Sequence, residues 1–315
     1  LRSMSYLDLF QNERKNVCRV NRWIKAAFLL GFALAPFPSS AAPKATKPRT
    51  AAAGVVPWWK TAVFYEIFPR SFQDTDGDGI GDINGITRRL DYLKELGIDA
   101  IWITPCFPSP LIDFGYDVSD YKAIAPELGT MRDMDRLIAE AKKRHMHVLL
   151  DLVVNHTSDQ HPWFKQSQSS KDSPKRDWYI WRDGKAEGPP NNWQSGFLTP
   201  AWTLDRATGQ WYYHAFWPEQ PDLNWRNAEV RSAMYDVVKF WLGQGVSGFR
   251  LDAVPSLFED PELKDDPNAY DRFQDAHQVL RELHAVAHTF SGDRVLLGET
   301  FTRNASELAP WYGNM

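Results

Sequence analysis

Cysteine is nearly absent: Cys18 and Cys106 are the only two among 315 residues. Two are too few for a disulfide framework, so stability has to come from a hydrophobic core. A charge excess of one sign is lacking too. A formal net charge of −4 provides no basic surface of the kind nucleic acid requires, and no nucleic-acid partner is expected. The apolar run at 26–35 is much shorter than the ~20 residues that cross a bilayer, so no stable membrane anchor is expected. His284 and His288 stand four apart on a predicted helix but lack the adjacent Glu of a zinc-protease motif. They read as surface helix residues.

Residues 1–54 do not read as a folded part. Arg19, Arg22 and Lys25 precede the apolar run, and Pro36, Pro38, Ser39, Ser40, Ala41 and Ala42 follow it. Charged, apolar and small residues in that order form the pattern of a secretory signal peptide. An uncleaved amphipathic leader is the alternative. Residues 44–54, with Lys, Pro, Thr and Ala, read as a disordered linker. A secreted or periplasmic location is the expectation.

What the chain has in quantity is aromatic and apolar residues, including 14 Trp, enough for a sizeable core. From Trp58 onward strand-like and helix-like segments alternate. Strands are predicted at 62–68, 100–104, 147–151, 248–254 and 295–299. Helices are predicted at 86–96, at 131–144 with Thr130 as N-cap, at 227–242 ending near Gly243, and at 271–287. This alternation implies a parallel sheet, in either a (β/α)8 barrel or an open doubly wound fold. Polar residues at several strand C-termini suit the barrel. Residues 157–225 interrupt the alternation and read as an inserted subdomain, between barrel segments 55–156 and 226–315. Eight Trp fall between Asn155 and Asn227; each is more readily a core residue than a sugar platform.

The chemistry concentrates in a few stretches. In 248–254 the β-period places Phe249 and Leu251 on one face, Arg250 and Asp252 on the other. An isolated Arg-x-Asp is more often a structural ion pair. Its functional reading is a carboxylate held ionised, with lowered pKa, as a nucleophile. Glu299 ends an apolar strand with no cation beside it in sequence, so burial is expected to keep it protonated. Two carboxyls in opposite protonation states are what glycosidic bond cleavage needs. At 74–82, Asp alternates with other residues and glycines allow a tight wrap, which offers oxygen ligands to a hard cation. No Glu occupies the twelfth position that an EF-hand loop requires, and an unmetallated acidic turn is the plain alternative.

Four segments, at 151–156, 220–224, 248–254 and 295–299, resemble in order and content those of the α-amylase superfamily of glycoside hydrolases. The Gln-Pro-Asp-Leu-Asn version of the second is similar to the α-glucosidase, oligo-1,6-glucosidase and trehalose synthase branch. The resemblance runs from about Trp58 to the last residue. It implies a (β/α)8 TIM-type barrel, of which about the first five β/α units are present, with domain B inserted after the third strand. It implies Asp252 as nucleophile, Glu299 as acid, retention of the α configuration, and carboxyls about 5–5.5 Å apart. Asp113, Tyr116, His156, Arg250, Gln220 and Ala253 become substrate-binding residues. Asp74, Asp76, Asp78 and Asp82 become side-chain ligands of a structural Ca2+, with the Ile80 carbonyl as a further one. The substrate implied is a small α-glucoside such as maltose. The third carboxylate and the last β/α units of such a barrel are not found in these 315 residues, so the chain reads as a partial barrel. A trehalose synthase-type isomerase or transglycosylase, or a non-catalytic binding protein of the same fold, are the rival readings.

Overall fold

The computed structural model describes residues 56–186, 188–265, 273–302 and 304–312. The leader and linker expected at 1–54 lie outside the described residues. Eight strands occur among those described: β1 (Phe64–Ile67), β2 (Ala100–Ile103), β3 (His147–Val153), β4 (Trp181–Asp183), β5 (Trp202–Asp205), β6 (Gln210–Tyr213), β7 (Gly248–Asp252) and β8 (Val295–Gly298). The main sheet has the order β1-β2-β3-β7-β8, and every neighbouring pair is parallel. These are the five β/α units expected of a barrel.

The inner strands β2, β3 and β7 are covered on both faces, whereas the edge strands β1 and β8 are partly exposed. Toward the helices, Ile101, Ile103, Val148, Leu150, Leu152, Phe249 and Leu251 join one core with Leu137, Val237 and Trp241. On the other face Ala100, Leu149 and Val295 pack with Trp58, Trp59, Phe64 and Trp102. Trp58 closes that layer by stacking on His147 with ring centroids 3.6 Å apart. Gly248 is required where β7 meets β8, because a Cβ there would lie 1.9 Å from the Val295 carbonyl oxygen.

The connecting helices follow their capping signals. Thr130 caps the helix Met131–Lys143 in a reciprocal box with Asp133. Asn227 caps Ala228–Gln244 by accepting from the Glu229 amide. That helix runs through Gly243 and ends at Gly245, whose φ of 104° supplies the left-handed turn. The helix expected at 86–96 begins earlier, at Ile83, because Asp82 accepts from the Gly85 amide. It then divides into Ile83–Arg88 and Leu90–Glu95 at Arg89, whose guanidinium is drawn to Gln73 Oε1. Of the helix expected at 271–287, the part Phe273–Ala287 is described, and residues 271–272 lie outside the described residues.

Between β3 and β7 the chain builds the inserted subdomain, with a helix Pro162–Gln168 and an antiparallel sheet in the order β4-β6-β5. Trp178, Trp181, Trp193, Trp202 and Trp225 are buried there, so most of its tryptophans serve its own packing. Among the described residues no helix is long and apolar enough to cross a membrane.

Candidate active site

The register of the parallel sheet assembles the site. Asp151 on β3 is the direct partner of Arg250 on β7, and Leu251 is the partner of Gly298 on β8. One step further along the strands, Asp252 and Glu299 stand side by side at adjacent C-terminal ends. The ladder continues that far, since the Glu299 amide donates to the Leu251 carbonyl at 2.9 Å. The strand period then turns Arg250 and Asp252 away from the helix-facing core that holds Phe249 and Leu251.

Arg250 is the hub. Its Nη1 lies 2.6 Å from Asp252 Oδ1 and 3.1 Å from both carboxyl oxygens of Asp151, while Nη2 lies 2.9 Å from Glu299 Oε1. The Trp102 indole donates to Asp151 Oδ2 at 3.1 Å, and the Tyr116 hydroxyl donates to the same oxygen at 3.2 Å. Ala253, with φ 49°, donates its amide to Glu299 Oε2 at 3.1 Å. Asp151 is the member that the motif reading left without a role. A carboxylate in the middle of the apolar run Val148–Val153, on the same face as Arg250, was the signal for it.

Three carboxyls around one guanidinium overturn one expectation. Arg250 does contact Asp252, but it does not hold the Asp252 carboxyl at low pKa. Burial and the neighbouring Asp151 push that carboxyl up, to about 8, against the pull of Arg250. Burial likewise raises Asp151, to about 6, with Arg250, Trp102 and Tyr116 pulling it down. Burial opposes the charge on Arg250, but Asp151, Asp252, Tyr116 and Glu299 outweigh it and keep the guanidinium protonated. Glu299 also differs from its expectation. It has a cation beside it, Arg250 from the neighbouring strand, and its side chain is 28% exposed. Sequence adjacency could not show this, because the cation arrives across the sheet.

The remaining expected residues fall into two groups. Gln220 donates to Asp113 Oδ2 at 3.0 Å and accepts from the Trp217 amide at 3.1 Å, joining the β2 loop to the inserted subdomain. Burial raises the Asp113 pKa, while the Gln220 hydrogen bond lowers it. His156 is 2% exposed, and burial lowers its pKa to about 3, so the imidazole is neutral. Its Nδ1 meets Asn155 Nδ2 at 3.3 Å, and its ring lies 5.3 Å from that of Phe216. Tyr116 links Asp113 to the Arg250 cluster, donating its amide to the Asp113 carbonyl at 2.8 Å and its hydroxyl to Asp151 Oδ2.

The acidic loop lies apart. Asp74, Asp76 and Asp78 bring carboxyl oxygens within 4.8 Å of one another. Their backbone turns are closed by Asp74 accepting from Gly77 and Gly79, and by Asp78 accepting from Ile80. A set of clustered hard oxygens fits a cation such as Ca2+. Asp82 does other work and is not part of this cluster. Its Oδ2 accepts from the Thr75 amide and hydroxyl, each at 2.8 Å, and its Oδ1 caps the next helix. His284 and His288 are exposed on their helix, as expected of surface residues.

Comparison with known proteins agrees with this geometry. Residues 66–315 match the family described as Alpha amylase, catalytic domain. The oligo-1,6-glucosidase of Parageobacillus thermoglucosidasius is 55% identical over 208 residues, which cover 66% of this chain and 37% of that one. The alpha-glucosidase of Schizosaccharomyces pombe is 50% identical over 233 residues, 72% of this chain and 40% of that one. The trehalose-6-phosphate hydrolase of Bacillus subtilis is 49% identical over 234 residues, 72% of this chain and 42% of that one. Among solved structures, the trehalulose synthase MutB from Pseudomonas mesoacidophila MX-45 is similar at a TM-score of 0.74 and 50% identity, covering 78% of this chain and 46% of that one. The chain thus spans less than half the length of the relatives it matches. With the parallel strands, the inserted subdomain and the paired carboxyls at adjacent strand ends all in place, the chain belongs to the α-amylase catalytic-domain family.

Proposed function

We propose that this chain carries the acid and nucleophile of a retaining α-glucoside hydrolase acting on maltose-like disaccharides or short α-glucans. The observation that carries this reading is the meeting of Asp252 and Glu299 on one guanidinium, at neighbouring strand ends. In a double displacement, Asp252 attacks the anomeric carbon while Glu299 gives its proton to the leaving oxygen. Glu299 then removes a proton from the water that frees the sugar, and two inversions restore the α configuration. Each step needs one carboxyl protonated and the other ionised. A cluster of three carboxyls and one cation, with Asp252 raised by burial and by its acidic neighbours, favours holding a proton at neutral pH. Bringing a glycosidic oxygen against Glu299 favours that proton on Glu299, which leaves Asp252 free to attack.

Arg250 and Asp151 would position the nucleophile, since Asp151 fixes the guanidinium that in turn contacts Asp252. The Ala253 amide would orient the acid. The three clustered aspartates, Asp74, Asp76 and Asp78, would hold a Ca2+ that stiffens the loop before the helix Ile83–Arg88, with no part in proton transfer. The leader pattern supports export of the protein, which fractionation of its native host would test.

The resemblance to trehalulose synthases supports a second reading, an isomerase that returns the glucosyl group to another hydroxyl of the aglycone. Incubation with maltose, followed by proton NMR and chromatography, separates the two. Hydrolysis with retention gives α-glucose first, which then mutarotates. An isomerase gives a new disaccharide. Initial release of β-glucose would sink the retaining mechanism.

A further inference from the structure

The helix Phe273–Ala287 directs its apolar stripe, Ala276, Val279, Leu283 and Ala287, into the main core. That leaves His284, and His288 just past the helix end, exposed on the outside. The two stand one helical turn apart, and their rings face each other with centroids 3.8 Å apart and planes at 32°. The proposed sugar chemistry uses neither of them. The Glu missing between them excludes the catalytic zinc of a protease motif, but it does not stop two imidazoles from holding a cation.

Three observations point to a cation here. His288 Nδ1 lies 2.9 Å from the His284 carbonyl oxygen. A carbonyl only accepts, so Nδ1 carries the proton and the Nε2 lone pair is left for a metal. An N–H anchored on a carbonyl is the support that metal-ligating histidines usually have. Burial and the neighbouring His288 ring lower the His284 pKa, so this imidazole is unprotonated at neutral pH and has a lone pair to donate. The pair also sits where the helix ends, and the carbonyls of a last turn carry partial negative charge that favours a cation. A zinc-sized ion lies about 2.0–2.1 Å from each nitrogen, which sets the two nitrogens roughly 3–3.4 Å apart. Facing rings at 3.8 Å reach that spacing by a small rotation about χ2, a soft torsion in histidine.

We propose that His284 and His288 form a two-nitrogen site for a borderline divalent cation, Cu2+ ahead of Ni2+ and Zn2+. Imidazole donors without a carboxylate select these ions over Ca2+ or Mg2+, and water completes the coordination. The site is thus separate in place and in chemistry from the oxygen cluster of Asp74, Asp76 and Asp78. A cation shared by residues one turn apart binds only when that turn is formed, so it clamps the end of the helix. From that end the chain passes through residues 289–294 into β8, the strand that leads to Glu299.

The test is calorimetric titration of the full chain, without an affinity tag, with Ni2+. The second imidazole binds as an intramolecular contact, so His284→Ala and His288→Ala should each weaken binding on the order of a hundredfold. Both positions are exposed and Ala favours helix, so both variants are expected to fold. His145→Ala and Asp76→Ala, which leave the pair intact, should bind Ni2+ at this site as the unmodified protein does. Ni2+ should raise the melting temperature of the unmodified protein and of neither His variant. With Cu2+, electron paramagnetic resonance should show nitrogen coupling from two imidazoles. Absence of Ni2+ binding by the unmodified protein, or binding unchanged in both His variants, would overturn the proposal. Loss in one His variant alone would assign the ion to a single imidazole and overturn the pair.

Discussion

The amide of Ala253 donates to Glu299 Oε2 at 3.1 Å, so the residue that follows the proposed nucleophile on one strand holds the proposed acid at the end of the next. Ala253 achieves this with φ 49°, in the left-handed region, where a branched side chain costs more than Ala. In the proposed site its small side chain would leave space next to the scissile bond. Maltose is therefore expected to be cleaved faster than isomaltose. Ala253→Val should shift the kcat/KM ratio toward isomaltose and cost about 1 kcal/mol of stability. Faster turnover of isomaltose by the unmodified protein would reverse this expectation.

Among the described residues Arg250 is the one cation in contact with three carboxyls, so its removal exposes buried like charges. Arg250→Met is expected to destabilise the protein by about 3–5 kcal/mol near pH 8. The loss should shrink near pH 5, where Asp151 and Asp252, already raised by burial, can take up protons instead. Denaturant melts at the two pH values measure it. Equal losses at both would show that the guanidinium contributes by packing and not by charge.

Asp252 gives a stability effect of opposite sign. Its carboxyl is pushed up to about 8 in the folded protein, from 3.8 when exposed, so the folded state binds its proton more tightly than the unfolded state does. The charged carboxylate costs nothing below about pH 4, and the cost accumulates as pH rises toward 8. Asp252→Asn should remove that cost while abolishing nucleophilic catalysis. Its melting temperature should match the unmodified protein near pH 4 and exceed it increasingly up to pH 8. For a domain of this size each kcal/mol corresponds to about 2–4 °C. A difference that stays flat across this range would contradict the assignment.

Much of this was legible in the sequence, for identifiable reasons. The inner strands β2, β3 and β7 are buried on both faces, the edge strands β1 and β8 are still largely apolar, and caps such as Thr130 and Asn227 are local signals. The pairing of Asp252 with Glu299 followed from their positions at the ends of strands that proved adjacent. What the sequence hid was everything that crosses the sheet. Asp151 reaches Arg250 only through the β3–β7 register, and Glu299 acquires a cation from β7. A charge count along one strand implies a low pKa for Asp252, and burial together with the acidic neighbours across the sheet reverses it. Asp82 was hidden for a different reason. Its place in an alternating acidic run resembles that of the other aspartates, but it stands where a helix begins, and unsatisfied helix amides recruit its carboxylate.

The acidic loop gives the prediction least dependent on catalysis. Asp74, Asp76 and Asp78 cluster closely, and hydrogen bonds from Gly77, Gly79 and Asp76 hold the Asp74 carboxyl below the usual carboxylate range, so it is ionised at neutral pH. Among the described residues no ion pair offsets these three charges. A bound Ca2+ would remove their mutual repulsion, and a ligand bound only by the folded state raises the melting temperature in proportion to its affinity. Chelator in metal-free buffer should lower the melting temperature, and added Ca2+ should restore it. Asp76→Ala should melt at the chelated temperature with or without the metal. Asp82→Asn keeps an oxygen to cap the helix and leaves the three clustered carboxyls intact, so it should retain most of the response to Ca2+. A response to chelator lost equally in both variants would place Asp82 among the ligands after all. Identical melting of the unmodified protein with and without chelator would remove the metal from the account.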